Sequence, residues 1–148
     1  MARTSPRLVP AESPDDLEAA FYDALHKGDL DRLMACWADE DEIMCVFADG
    51  ARLLGPAAIR AAYAAILERG GLWVRPTQQM RLQGPTSCVH SVVERVSTML
   101  PDGRHDATVL ATHVYQKTGI GWRMVARHAS LAPWADAPAA PPDATLLH

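Results

Sequence analysis

The sequence predicts an α+β domain in which three helices from its first half pack against a cone-shaped, strongly curved antiparallel sheet. Two observations carry this expectation. Helical periodicity is confined to the first half, where apolar residues recur at intervals of three and four. Strand-like alternation fills the second half, in long segments broken by Gly- and Pro-containing turns. Helices that precede a meander bury their apolar stripes by packing on one of its faces, which gives two layers. At 148 residues the chain suffices for one such domain with its own core.

Residues 1–12 carry Pro, Ser and charge without a period and read as a flexible arm. Ser13-Pro14-Asp15-Asp16 starts the first helix. Serine can cap, proline suits the first helical position, and acids favour the positive end of the helix dipole. Leu17, Phe21, Ala24 and Leu25 fall on one face and Gly28 ends the run. Asp29 caps a second helix bearing Leu30, Leu33, Met34 and Trp37, which should stop near Ala38 before the acidic run 39–42. Ile43–Ala48 is strand-like, turns at Asp49-Gly50, and returns over Arg52–Leu54. Gly55-Pro56 opens a third helix with Ile59, Tyr63, Ile66 and Leu67 at helical spacing. Four β segments follow, Trp73–Gln83, Ser87–Leu100, Ala107–Lys117 and Trp122–Leu131. The second would extend about 45 Å, long enough to require a bend or bulge. The domain thus spans residues 13–132, and 133–148, rich in Pro and Ala, reads as a flexible tail.

Composition narrows the function. A net charge of −4 with no basic stripe argues against nucleic acid. No apolar run is long enough to span a bilayer, and the N-terminus lacks the apolar segment of a secretion signal. Cys36, Cys45 and Cys88 are odd in number, widely spaced and set among apolar residues, as expected of buried reduced thiols in a cytoplasmic protein. No phosphate loop, nucleophile elbow or metal motif is present, so neither cofactor nor metal is expected.

Three stretches, AFYDALHKGDLDRLMACWAD, DGARLLGPAAIRAAYAAI and THVYQKTGIGWRMVARHAS, resemble the nuclear transport factor two-like superfamily of cystatin-like folds. That superfamily includes steroid Δ-isomerases, SnoaL-like polyketide cyclases, scytalone dehydratase and the association domain of calmodulin-dependent kinase. The resemblance covers about residues 14–132 and is greatest to small SnoaL-like proteins of unassigned function. It implies a cone with an apolar pocket and a homodimer formed through the sheet face. Steroid isomerases need a tyrosine donor, an aspartate base and a protonated acid in the cone. Alignment on the GDLD turn puts Phe21 at the tyrosine, alignment on Gly50 puts Phe47 at the base, and the VYQKTGIG hairpin puts His113 at the acid. Tyr22 is turned by about 100° from the position of Phe21. Isomerisation of that type is therefore disfavoured.

Pairing the late strands through their turns gives a register. Leu100 opposite His105 sets Val92 against His113 and Glu94 against Ala111; Thr118 opposite Gly121 sets Ala111 against His128. One face then carries His90, Val92, Glu94, Val96, Ala111, His113, Tyr115, Trp122, Met124, Ala126 and His128, and the other mixes Val with Arg123 and Arg127. A slip of one residue would reverse either face. Glu94, His113 and His128 are the candidate acid–base groups, while Phe21, Trp37, Phe47, Tyr63, His90, Tyr115, Trp122 and Met124 are candidate ligand contacts. Strand histidines also serve as satisfied structural groups, and large apolar residues as core. The leading expectation is a protein that binds a hydrophobic small molecule. The alternatives are a cofactor-independent isomerase, cyclase, dehydratase or hydrolase, and a dimeric scaffold without catalysis.

Overall fold

The computed structural model describes Val9, residues 11–70 and residues 72–133. The elements run α1 (Pro14–Lys27), α2 (Leu30–Ala35), β1 (Met44–Val46), β2 (Arg52–Leu54), α3 (Pro56–Glu68), β3 (Trp73–Gln83), β4 (Ser87–Leu100), β5 (Gly103–Thr118) and β6 (Gly121–Leu131). The predicted α+β order holds throughout. Ser13 caps α1 by accepting the Asp16 N–H at 3.1 Å, and Gly28 ends it in the left-handed conformation at φ 65°. Asp29 caps α2 in the same manner, accepting from Arg32 N at 3.1 Å. Helix α2 stops at Ala35, short of the expected Ala38, because the next residues join the sheet. The Met124 N–H donates to Cys36 O at 2.8 Å and the Ala38 N–H to Met124 O at 2.9 Å, so backbone groups that would extend the helix are already engaged.

The six strands form one sheet in the order β2-β1-β6-β5-β4-β3. All neighbours are antiparallel except β1 and β6, which run parallel. Of the expected arm, Val9, Ala11 and Glu12 are described, and Ala11 O accepts the Trp122 N–H at 3.0 Å. The expected tail beyond residue 133 lies outside the described residues.

The β4–β5 turn is tighter than expected. Leu100 pairs with Gly103, a glycine at φ 123°, rather than with His105. This two-residue shift preserves every face but sets His90 opposite His113 and Val92 opposite Ala111. The β6 register is corrected more deeply. Val114 pairs with Ala126 but Tyr115 with Met124, leaving Val125 as a bulge. Beyond it the faces exchange: Arg127 pairs with His113 on the inner face, and His128 pairs with Thr112 on the outer one, exposed. A second bulge interrupts β3 between Thr77 and Met80, where Gln78 adopts φ 50°, a conformation costly outside glycine.

The helices cover the inner face. Leu17, Phe21, Ala24 and Leu25 of α1 are buried as predicted, together with Ile59 and Tyr63 of α3 and Leu33 of α2. Burial of each large apolar side chain contributes about 1.5–3 kcal/mol. The buried face of α1 is wider than its apolar stripe and includes Glu18 and Tyr22. Two polar groups thereby enter the interior.

Candidate functional site

The inner face gathers seven polar side chains: Glu18 and Tyr22 from α1, His90 and Glu94 from β4, His113 and Tyr115 from β5, and Arg127 from β6, all buried. They form two poles joined through His113.

At the first pole Arg127 grips Glu94 with both forks, Nη1 to Oε2 at 2.7 Å and Nη2 to Oε1 at 2.8 Å. The Tyr22 hydroxyl donates to Glu94 Oε2 at 2.5 Å. Burial alone would raise the Glu94 pKa, but the Arg127 charge and hydrogen bonds hold it below the usual carboxylate range. The Arg127 guanidinium lies 5.6 Å from the Phe21 ring centroid, within cation–π reach.

At the second pole no Arg or Lys among the described residues pairs with Glu18. Its Oε2 accepts from Tyr115 Oη at 2.6 Å, His90 Nδ1 at 2.7 Å and His113 Nδ1 at 3.0 Å. Its Oε1 accepts from Gln79 Nε2, which the β3 bulge aims inward. Burial opposes ionisation, yet these donors, His113 foremost, bring the Glu18 pKa down to about 2.

His113 links the poles. Arg127 Nη1 lies 2.6 Å from His113 Nε2, and a guanidinium can only donate. Nε2 is therefore the acceptor and Nδ1 carries the proton given to Glu18. Burial, assisted by the Arg127 charge, holds the imidazole below the ordinary histidine range against the pull of Glu18. Among the described residues, two buried side-chain nitrogens lack a hydrogen-bond partner, Trp37 Nε1 and His90 Nε2.

The expected site is thus partly assembled. Glu94 and His113 face the interior, but His128 does not; the Val125 bulge gives its place to Arg127. Phe21 packs edge-on against Tyr22, Tyr63 and His113, and half-buried Phe47 against Tyr63. Trp37, His90, Tyr115, Trp122 and Met124 are all buried, with Trp37 bridged to Met124. Sequence reasoning missed Glu18, Tyr22, Gln79 and Arg127. Glu18 and Tyr22 are spaced i, i+4 on α1, one helical turn apart, which is the only signal they leave; the two bulges leave none. Among the described residues no trio of His, Cys, Asp or Glu is arranged to hold a metal ion, and no helix is long and apolar enough to cross a membrane.

Known proteins share this architecture. A family model described as a SnoaL-like domain matches residues 15–134. A Thiobacillus denitrificans protein, provisionally assigned as an association domain of calcium/calmodulin-dependent protein kinase type II, is 30% identical over 85% of this chain and 98% of its own, with a TM-score of 0.69. A provisionally assigned dehydratase of the nuclear transport factor two-like family from Streptomyces avermitilis is 22% identical over 78% of this chain and 92% of its own, with a TM-score of 0.72. An uncharacterized cystatin-like protein from Caulobacter vibrioides is 18% identical over 88% and 89%, with a TM-score of 0.70. The last two likenesses speak to the fold alone. No curated protein matches the chain. Because that family model matches residues 15–134 of the 148, the chain belongs to the SnoaL-like domain family.

Proposed function

We propose that this domain binds an apolar small molecule on the inner face of its sheet, oriented by the polar groups around Glu18. The observation that carries the reading is the concentration of seven buried polar side chains in one cluster of a mostly apolar interior. Replacing such groups by apolar ones is often neutral or stabilising, so a core serving stability alone has no need of them. Buried titratable groups ringed by aromatic side chains are the usual composition of a ligand site. Proton transfer by Glu94 and His113 is less well supported. Arg127 occupies both Glu94 oxygens and His113 Nε2, and His128 stands on the outer face.

Self-association through the outer sheet face is a second, compatible reading. Met80 and Leu82 are 71% and 75% exposed there, beside half-buried Val89 and Val114, and an apolar patch of this kind favours a partner surface. A relative assigned as an association domain points the same way. A second copy of the chain is the proposed partner.

Native mass spectrometry of the purified chain, with thermal shift against a panel of apolar alcohols, ketones and aromatic acids, tests both. A dimer mass supports self-association. A retained adduct, or stabilisation of about 2.7 kcal/mol at a hundredfold excess over Kd, supports binding. A monomer mass sinks the second reading; no adduct and no shift from any compound sink the first.

A further inference from the structure

Glu18 is an acceptor only, so each neighbour must donate to it. His90 therefore donates from Nδ1, 2.7 Å from Glu18 Oε2, and a neutral ring in that tautomer leaves Nε2 as an acceptor. That nitrogen is fully buried and unmatched, a condition that calls for an explanation in a folded protein. The ring itself is fixed edge-on to Tyr115 at 5.0 Å between centroids. His113 has no comparable vacancy, because its Nε2 already accepts from Arg127.

The surroundings of the unmatched nitrogen say what it can take. Asp15 Oδ1 stands 3.7 Å from Nε2, beyond hydrogen-bond reach. The other Asp15 oxygen pairs with Arg81 Nη1 at 3.1 Å, and Arg81, directly across from His90 on β3, donates from Nη2 to Gln79 Oε1 at 2.7 Å. Asp15 and Arg81 are each about half exposed. A strap of surface side chains thus separates solvent from one buried acceptor. Arg81 takes up the Asp15 charge, and an acceptor nitrogen beside the Glu18 carboxylate repels an anion but matches the proton of a neutral hydroxyl.

We infer that His90 Nε2 is the anchoring acceptor for a neutral hydroxyl-bearing ligand, an alcohol or phenol with an apolar body, which reaches it past the Asp15–Arg81 pair. The inference rests on the binding function proposed above and names the ligand class for it. The hydroxyl keeps its proton, and no covalent bond is made or broken.

Phenol and toluene differ by the one group at issue. Each is titrated into the full chain carrying 15N-labelled histidine. Phenol should bind on the order of tenfold more tightly than toluene and move the His90 Nε2 resonance away from its free lone-pair value. In His90→Phe the preference should vanish while toluene still binds. Equal binding to the wild type, or a phenol preference surviving in His90→Phe, overturns the anchoring role and leaves interior binding standing. Failure of both compounds to bind overturns the two together. Should His90→Phe not fold, the wild-type spectrum decides: a proton on Nε2 at neutral pH, or no movement under saturating phenol, overturns the assignment.

Discussion

Glu94 and Glu18 share one interior and are held in opposite ways. Glu94 is neutralised by a bidentate guanidinium and closed off by Tyr22. Glu18 is ionised with no guanidinium or ammonium against it among the described residues; its donors are two imidazoles, a tyrosine and a glutamine from an edge strand. The difference teaches what each pole can do. A saturated ion pair has no capacity left and fixes β4, β6 and α1 to one another. A carboxylate held by several separate donors orients them, and it fixes the His90 ring with Nε2 toward the Asp15–Arg81 pair.

The contrast is broken most directly at Arg127. Arg127→Met strands a buried carboxylate and should cost about 3–5 kcal/mol in urea unfolding. Adding Glu94→Leu should restore most of that loss, because the unpaired charge goes with it. A single-mutant cost below about 1 kcal/mol would mean that Glu94 is not held by the pair.

Acid should find the other pole. The folded pKa of Glu18 is depressed from 4.5 to about 2, so its contribution is present above pH 4.5 and is lost as pH falls toward 2. This amounts to about 3 kcal/mol. His113 is also depressed, from 6.5; the unfolded chain binds that proton first, and stability should begin to decline once pH drops below 6.5. Denaturation midpoints measured from pH 7 to 2 should therefore fall in two stages. Glu94 is depressed as well, so in Glu18→Gln the lower stage should shrink without vanishing; a stage of unchanged size would assign the acid response elsewhere.

The smallest effect is expected on the outer face. His128→Ala should change stability by no more than about 0.5 kcal/mol, since the side chain is exposed. A loss comparable to that of Arg127→Met would return His128 to the interior and undo the bulged register.

The elements were legible because their signals are local: the Ser13 cap, Gly28, the Asp49-Gly50 turn and the alternation along β4 each determine structure over a few residues. Glu94 and His113 were legible for the same reason, since a two-residue error at the β4–β5 turn leaves alternation intact. Arg127 was not. Its orientation depends on whether β6 accommodates one extra residue at Val125, which is decided by pairing with β5 and not by anything within β6. Glu18 and Tyr22 escaped because a helix face was drawn around its apolar members, whereas that face also covers a cluster of buried polar groups.

The placement of β6 bears on assembly of the chain. It lies between β1 and β5, so the first strand has no lasting neighbour on that side until residues 126–128 have been made and delivered. Pairings this distant in sequence slow folding and bind its completion to a late event. Until then α1 has only part of a platform, and Glu94 lacks its guanidinium. Newly synthesised protein should thus acquire its interior in one concerted step, with little of it built up piece by piece from the amino end.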